Sequence, residues 1–101
     1  MSAARDGNVV RLAGACGVED AEALAALCRA APGLPVDLAG ATTLHTAVVQ
    51  VLLEHAPPLR GVPADAFTAA MVVPALVRAS ERASERARER AEAARRHDAE
   101  V

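Results

Sequence analysis

Two apolar runs on either side of an amphipathic helix set the strongest limit on how this chain folds. The runs, residues 8–13 and 34–38, are typical of buried strands. Between them, acidic side chains within residues 19–22 predict the first turn of a helix, which Pro32-Gly33 ends. Strand, helix and strand within about 30 residues is the size of a crossover unit, which joins parallel strands. The sequence therefore predicts an α/β fold.

Composition narrows what can fill the core of such a fold. The chain has 101 residues, of which 52% are hydrophobic, so one domain can bury a core without disulfides or a metal. It contains no Trp or Tyr and a single Phe, so Ala, Val and Leu must form most of the core. The side chains expected to be buried together are Val10, Leu12, Leu24, Cys28, Val36, Leu38, Val49, Leu52 and Phe67.

Residues 42–53 fit two secondary structures. Their valines favour a strand. Against that, Thr46 is a good helix N-cap, and residues 47–55 are apolar on nearly all sides, as in a buried helix. The pattern alone leaves both interpretations open.

The segment that follows predicts a short strand and another helix. Residues 59–62 are compatible with a very short strand, and Pro63 suits the first position of a helix. Phe67 and Met71 would then share one helical face with Ala70 and Pro74. We expect Pro74 to kink or end this helix, because proline lacks the backbone N–H that the helix needs.

A four-residue repeat marks the C-terminal part of the chain. ASER, ASER and ARER follow one another from residue 79, and residues 80–101 hold six arginines and six acids. We therefore divide the chain into a domain, residues 1–78, and a helical tail, residues 79–101. The tail is expected to be a solvated helix; the alternative is that its stripe of alanines pairs with another helix.

Charge and the remaining motifs argue against several function classes. The formal net charge is −2 and every basic side chain is an arginine, so there is no electrostatic basis for nucleic-acid binding. The N-terminal residues lack a secretory signal, and the longest apolar stretch, residues 66–77, is too short to span a bilayer. His45, His55 and His97 lack metal-site spacing, and neither cysteine lies in a catalytic motif. We expect a cytoplasmic, non-enzymatic protein without cofactor, metal or membrane insertion.

Three segments of the sequence, taken in order, resemble a known family. They are VVRLAGACGVEDAEALAALC, PVDLAGATTLHTAVVQVLL and PLRGVPADAF, and they are similar to the STAS domain of bacterial anti-sigma factor antagonists. The resemblance implies a small sheet with helices packed on it and places residues 37–40 (DLAG) at the end of the central strand. It also places Thr46 at the position that many family members phosphorylate. The sequence departs from the family at His45, where the family has an aspartate, and at Val48, where it has a glycine. The charged tail stands in place of the family's last strand and helix.

The resemblance also implies a function. It predicts a regulatory module that binds another protein by partner switching, through a surface formed by His45, Thr46 and Gln50. The partner would be an ATP-binding protein like an anti-sigma kinase. Two alternatives stay open: an accessory subunit that binds the ATPase of a lipid ABC transporter, and a structural protein that forms homo-oligomers through the C-terminal helix.

Overall fold

The α/β architecture predicted from the sequence is present in the computed structural model, which describes residues 2–100. The strands are β1 (Ser2–Asp6), β2 (Val9–Cys16), β3 (Val36–Leu44) and β4 (Leu59–Arg60). The helices are α1 (Val18–Ala30), α2 (Thr46–His55) and α3 (Val73–Glu100), and a π-helical turn, Thr68–Val72, leads directly into α3.

The four strands form one mixed sheet in the order β1-β2-β3-β4. β2 and β3 are parallel, as the crossover unit predicts; β4 is also parallel to β3, whereas β1 is antiparallel to β2. The hairpin between β1 and β2 turns at Gly7, whose φ of 60° is readily available only to glycine, and it sets Asp6 opposite Val9. β1 is not among the predicted elements, because its sequence is largely polar.

The core lies between one face of this sheet and the helices α1 and α2. Leu24 of α1 and Leu52 of α2 join the same buried cluster as Leu12 and Leu38 of the central strands. Of the nine side chains expected in the core, all but two are buried in this cluster. Val49 is half-buried against it, and Phe67 is 68% exposed, so the prediction for Phe67 is wrong.

The structure divides the segment that had two interpretations, because residues 42–44 complete β3 and the rest forms a helix after His45. Residues 46–55 form α2, since Val48 and Leu52 bury one side against the core, where a helix four residues apart aligns them. β4 then follows for two residues, as the very short strand predicted there. After β4, the backbone N–H groups of Ala64 and Asp65 donate to carbonyl oxygens of β3 at 2.9 and 3.0 Å. They cover the part of β3 that extends past the short β4.

The last helix passes through Pro74 without ending. The π-helical turn ends at Val72, two positions before the proline, and the N–H of Val73 bonds to the carbonyl of Thr68, five residues back. This wider turn accommodates a residue that cannot donate to the helix ladder. This helical segment starts at Asp65 rather than at Pro63. The Asp65 carboxylate accepts hydrogen bonds from the N–H and the hydroxyl of Thr68, at 2.9 and 2.6 Å.

The tail is the continuation of α3 and not a separate element. Leu76 is buried in the core, and the helix runs unbroken across the boundary expected after residue 78. Ala79 and Ala83 are half-buried, and side chains 84–99 are all exposed. The molecule is accordingly elongated, with extents of 52 × 26 × 20 Å. Glu92 and Arg96 form an ion pair along the exposed helix, 3.8 Å apart.

Candidate functional site

The predicted site lies where the central parallel strands end and their helices begin. β2 leads through Gly17 into α1, and β3 leads through His45 into α2. The two junctions are tied together, since the backbone N–H of His45 donates to the carbonyl oxygen of Cys16 at 2.9 Å. The amino-terminal ends of α1 and α2 therefore meet at one edge of the sheet, the edge at which α/β proteins most often bind ligands.

His45, and not Thr46, caps α2. The Nδ1 atom of His45 accepts the backbone N–H of Ala47 at 3.0 Å, and its backbone is extended, as an N-cap requires. Thr46 is the first residue of the helix and its side chain is exposed. The expectation that Thr46 is the cap is wrong by one residue, because an imidazole with an unprotonated nitrogen fills the same role. Capping therefore gives no structural reason for a threonine at position 46.

A shallow groove runs between α1 and α2 from this edge. Its lining residues are Val18, Ala21, Glu22, Ala25, Ala47, Gln50, Val51 and Glu54. The groove exists because the alanine side chains that line it are small. Glu22 and Glu54 are exposed along it. No arginine lines the groove, so its only ionised side chains are carboxylates. Such a surface suits an apolar group accompanied by a basic one.

Only part of the predicted site lies at this groove. Gln50 is exposed and lines the groove, and Thr46 precedes the groove residue Ala47. Val18 belongs to the same surface, at 54% exposure, although the sequence interpretation did not include it. A signal was present: Val18 is an apolar residue ahead of the acidic first turn, outside the buried face of α1.

Residues 37–40 have a structural role instead. β3 runs on to Leu44, so these residues lie in its first half and not at the end implied by the resemblance. The carboxylate of Asp37 accepts the Arg11 guanidinium at 2.7 Å and the N–H of Ala39 at 2.9 Å. Arg11 also contacts Asp6 at 2.9 Å, and this hydrogen bond, together with the charges of Asp6 and Asp37, raises the pKa of the Arg11 guanidinium. This ion-pair chain joins three strands on the open face of the sheet.

A second concavity lies at the opposite end of the domain. It has a volume of about 160 Å³ and is lined by ten residues, among them Leu27, Cys28 and His55. Burial raises the pKa of the Cys28 thiol, more than the charge of Arg29 lowers it. A thiol with a raised pKa is mostly protonated at neutral pH and is a weak nucleophile. The cavity therefore does not activate Cys28.

Comparison with protein-family models, curated proteins and solved structures gives no significant match to this chain. Within residues 2–100, no three His, Cys, Asp or Glu side chains are grouped closely enough to hold a metal ion. None of the helices in the same range combines the length and hydropathy needed to cross a bilayer.

Proposed function

We propose that this chain is a non-enzymatic regulatory module that binds another protein through the groove between α1 and α2. The observation that carries the proposal is the continuity of the surface: exposed Val18, Thr46 and Gln50 lie at or along a groove with an apolar floor. Exposed apolar surface beside polar side chains is typical of protein-binding sites. The order strand, helix, strand, helix over residues 9–55 also agrees with what the STAS resemblance implies.

The lining of the groove indicates the chemistry of the partner. Ala21, Ala25 and Val51 offer an apolar floor, and Glu22 and Glu54 leave a negative rim. We expect the partner to insert an apolar side chain and to place a lysine or arginine against the carboxylates. Complementary charge of this kind mainly raises the association rate and the specificity of binding.

Thr46 is the proposed point of regulation. Its hydroxyl is exposed at the start of α2, in a first turn that carries no acidic side chain. A phosphate there would add about −1.5 to −2 charge at a helix end that tolerates anions. Because His45 supplies the cap, this added charge would alter the binding surface without removing a capping hydrogen bond.

The resemblance suggests two classes of partner, an anti-sigma kinase-like protein and the ATPase of a lipid ABC transporter. Affinity capture from a cytosolic extract, with wild type and Val18→Glu side by side, would identify a protein that depends on the groove. Its identity would decide between the two classes. The captured partner would then be purified and titrated against this chain as wild type, Thr46→Ser and Thr46→Glu.

We expect Thr46→Ser to bind like wild type. Thr46→Glu and Val18→Glu should bind at least about tenfold more weakly, because each puts a carboxylate outside the Glu22 and Glu54 rim, where the partner must desolvate it without placing its basic group there. Ser84→Glu is the matched control, because it places the same side chain at an exposed position of α3. Circular dichroism would confirm that each variant is folded. Equal affinity across Thr46→Glu, Val18→Glu and Ser84→Glu would contradict the proposal.

A further inference from the structure

The tail is the part of α3 that lies beyond the core. Side chains 84–99 are all exposed, although the helix runs unbroken from Leu76, which is buried. At 1.5 Å per residue, this stretch makes up about 24 Å of helix. Helices in proteins are stabilised mainly by packing one face against another surface. The arrangement of side chains around the tail indicates which face that is.

One side of the tail is alanine, bordered on both flanks by arginine. Successive helical residues are rotated by about 100°, so three alanines within residues 86–95 fall within about 60° of one another. We call these residues the alanine face: Ala87, Ala91 and Ala94. Arg90 and Arg95 lie about 70° to either side of the centre of this face, whereas both glutamates of the same stretch lie more than about 120° from it. Asp98, on the same side one turn further on, ends the face. The tail is neutral overall, but the surroundings of its alanine face are positive.

The groove between α1 and α2 is complementary to this pattern. Its floor is apolar, and each of its two helices places one exposed carboxylate along it, Glu22 from α1 and Glu54 from α2. Within residues 2–100, neither of these carboxylates forms an ion pair, and the same holds for Arg90 and Arg95. An apolar strip with a negative charge on each wall therefore exists on the same chain as an apolar strip with a positive charge on each flank.

We propose that the alanine face of a second copy of this chain packs into the groove, with its two flanking arginines against the two carboxylates. The lengths match, since the groove is lined between residues 18 and 25 of α1 and between 47 and 54 of α2, and the alanine face spans residues 87–94, each about 11 Å of helix. Small side chains on both surfaces let the helix axes approach to about 8 Å, the short end of helix packing distances. The glutamates on the far side of the tail fix which face turns inward, because like charges would otherwise meet.

Two copies that exchange their tails about a two-fold axis each use the groove and the alanine face once. The contact belongs with weak, reversible interfaces, which bury less than about 1,200 Å² in total, so the association should depend on concentration. The inference rests on the proposed function in that the second copy and the partner use the same groove. Self-association then regulates partner binding, because a groove filled by a tail lowers the fraction of chains that can bind the partner.

Sedimentation equilibrium of the full chain tests the contact by charge reversal. Wild type should self-associate as its concentration rises. The groove variant, Glu22→Arg with Glu54→Arg, and the tail variant, Arg90→Glu with Arg95→Glu, should each raise the dissociation constant at least about tenfold, because like charges then meet. An equimolar mixture of the two variants should associate again with about wild-type affinity, since each reversed surface finds its complement on the other chain.

A control variant, Glu85→Arg with Glu89→Arg, reverses two charges on the far side of the tail and should associate no more weakly than wild type. All the substituted side chains are exposed, and circular dichroism would confirm that each variant keeps its helix content. If the groove variant associated like wild type while the tail variant did not, the tails would pair with each other and the inference would be overturned. A wild type that stays monomeric at high concentration, or a mixture that does not associate, would overturn it as well.

The tail variant separates this inference from the proposed function. Its groove is intact, so at concentrations below the self-association range it should bind the captured partner as wild type does. Partner binding without self-association of wild type would leave the proposed function standing and refute the tail contact. Self-association that follows the charge reversals, without a partner that depends on Val18, would do the reverse.

Discussion

Replacing His45 with alanine should destabilise the protein, whereas replacing Thr46 with alanine should not. His45 makes the side-chain capping bond of α2, from Nδ1 to the N–H of Ala47 at 3.0 Å. Loss of an N-cap costs about 0.5–2 kcal/mol, and because His45 is exposed we expect a value near 1 kcal/mol. Thr46 makes no capping bond, and alanine is a better helix former than threonine by up to about 0.7 kcal/mol, so Thr46→Ala should be neutral or slightly stabilising.

Urea unfolding at neutral pH, followed by circular dichroism, measures both changes. With an m-value of about 1–3 kcal/mol per molar urea, a loss of 1 kcal/mol lowers the midpoint by roughly 0.3–1 M, which is readily resolved. His45→Asp restores a strong cap and should match or exceed wild type. A Thr46→Ala midpoint that falls as far as that of His45→Ala would refute the assignment of the cap. It would also make binding data from Thr46 variants impossible to separate from stability.

Other consequences of the fold are open to test in the same way. Leu24 is fully buried, so Leu24→Ala should cost about 2–5 kcal/mol in urea unfolding, while the same change at the 45% exposed Leu53 should stay within about 0.5 kcal/mol; equal losses would mean that α1 is misplaced. Hydrogen bonds lower the pKa of Asp65, so its contribution is present above the unfolded pKa of about 3.9 and is lost as pH falls through the lower folded value. Asp65→Asn should therefore flatten the acid limb of the stability curve, and an unchanged limb would contradict the capping role. Cys28 lines a cavity whereas Cys16 is 3% exposed, so mass spectrometry should find that iodoacetamide modifies Cys28 first in the native protein.

The crossover unit could be predicted from the sequence because its signals are local and agree with one another. Acidic residues predict the first turn of α1 and Pro32-Gly33 its end, and the helix Val18–Ala30 lies between these two signals. A helix of this length between two apolar runs is the connection that parallel strands need. The ends of the strands were harder to place. β3 continues to Leu44 through small and polar residues. Hydrogen bonds to β2 keep these residues extended, so hydrophobicity does not reveal them.

Two elements could not be obtained from apolar periodicity. β1 is held by pairing with β2, and its one signal is the Gly7-Asn8 dipeptide, which suits the two-residue loop of a hairpin. The helix around Met71 carries apolar residues on both faces, so periodicity cannot say which face is buried. The Asp65 cap and the following π-helical turn orient the helix with Thr68 inward and Phe67 outward.

The sequence predicts where residues 45–50 lie in the fold, but not the surface that surrounds them. The order of elements was enough to put residues 45–50 at the start of α2, at the edge where the parallel strands end. Which neighbour caps the helix depends on side-chain geometry that threonine and histidine can both adopt at a strand-to-helix junction. The groove depends on the packing of α1 against α2, which brings Val18 and Gln50 to one surface across more than thirty residues of sequence.

The last helix packs against α2, and this allows a test of whether the groove acts alone. One side of α2 faces α1 and forms the groove, and α3 packs against α2 through the core that contains Leu76. Substitutions at sites without shared contacts usually have additive effects. We therefore expect Val18→Glu to lose the partner and Phe67→Glu, at a 68% exposed position of the last helix, to keep it. Titration of the partner with wild type, both single variants and the double variant measures this, and the double variant should bind no more weakly than Val18→Glu. If Phe67→Glu also weakened partner binding about tenfold, α2 would have to transmit a coupling between the last helix and the groove.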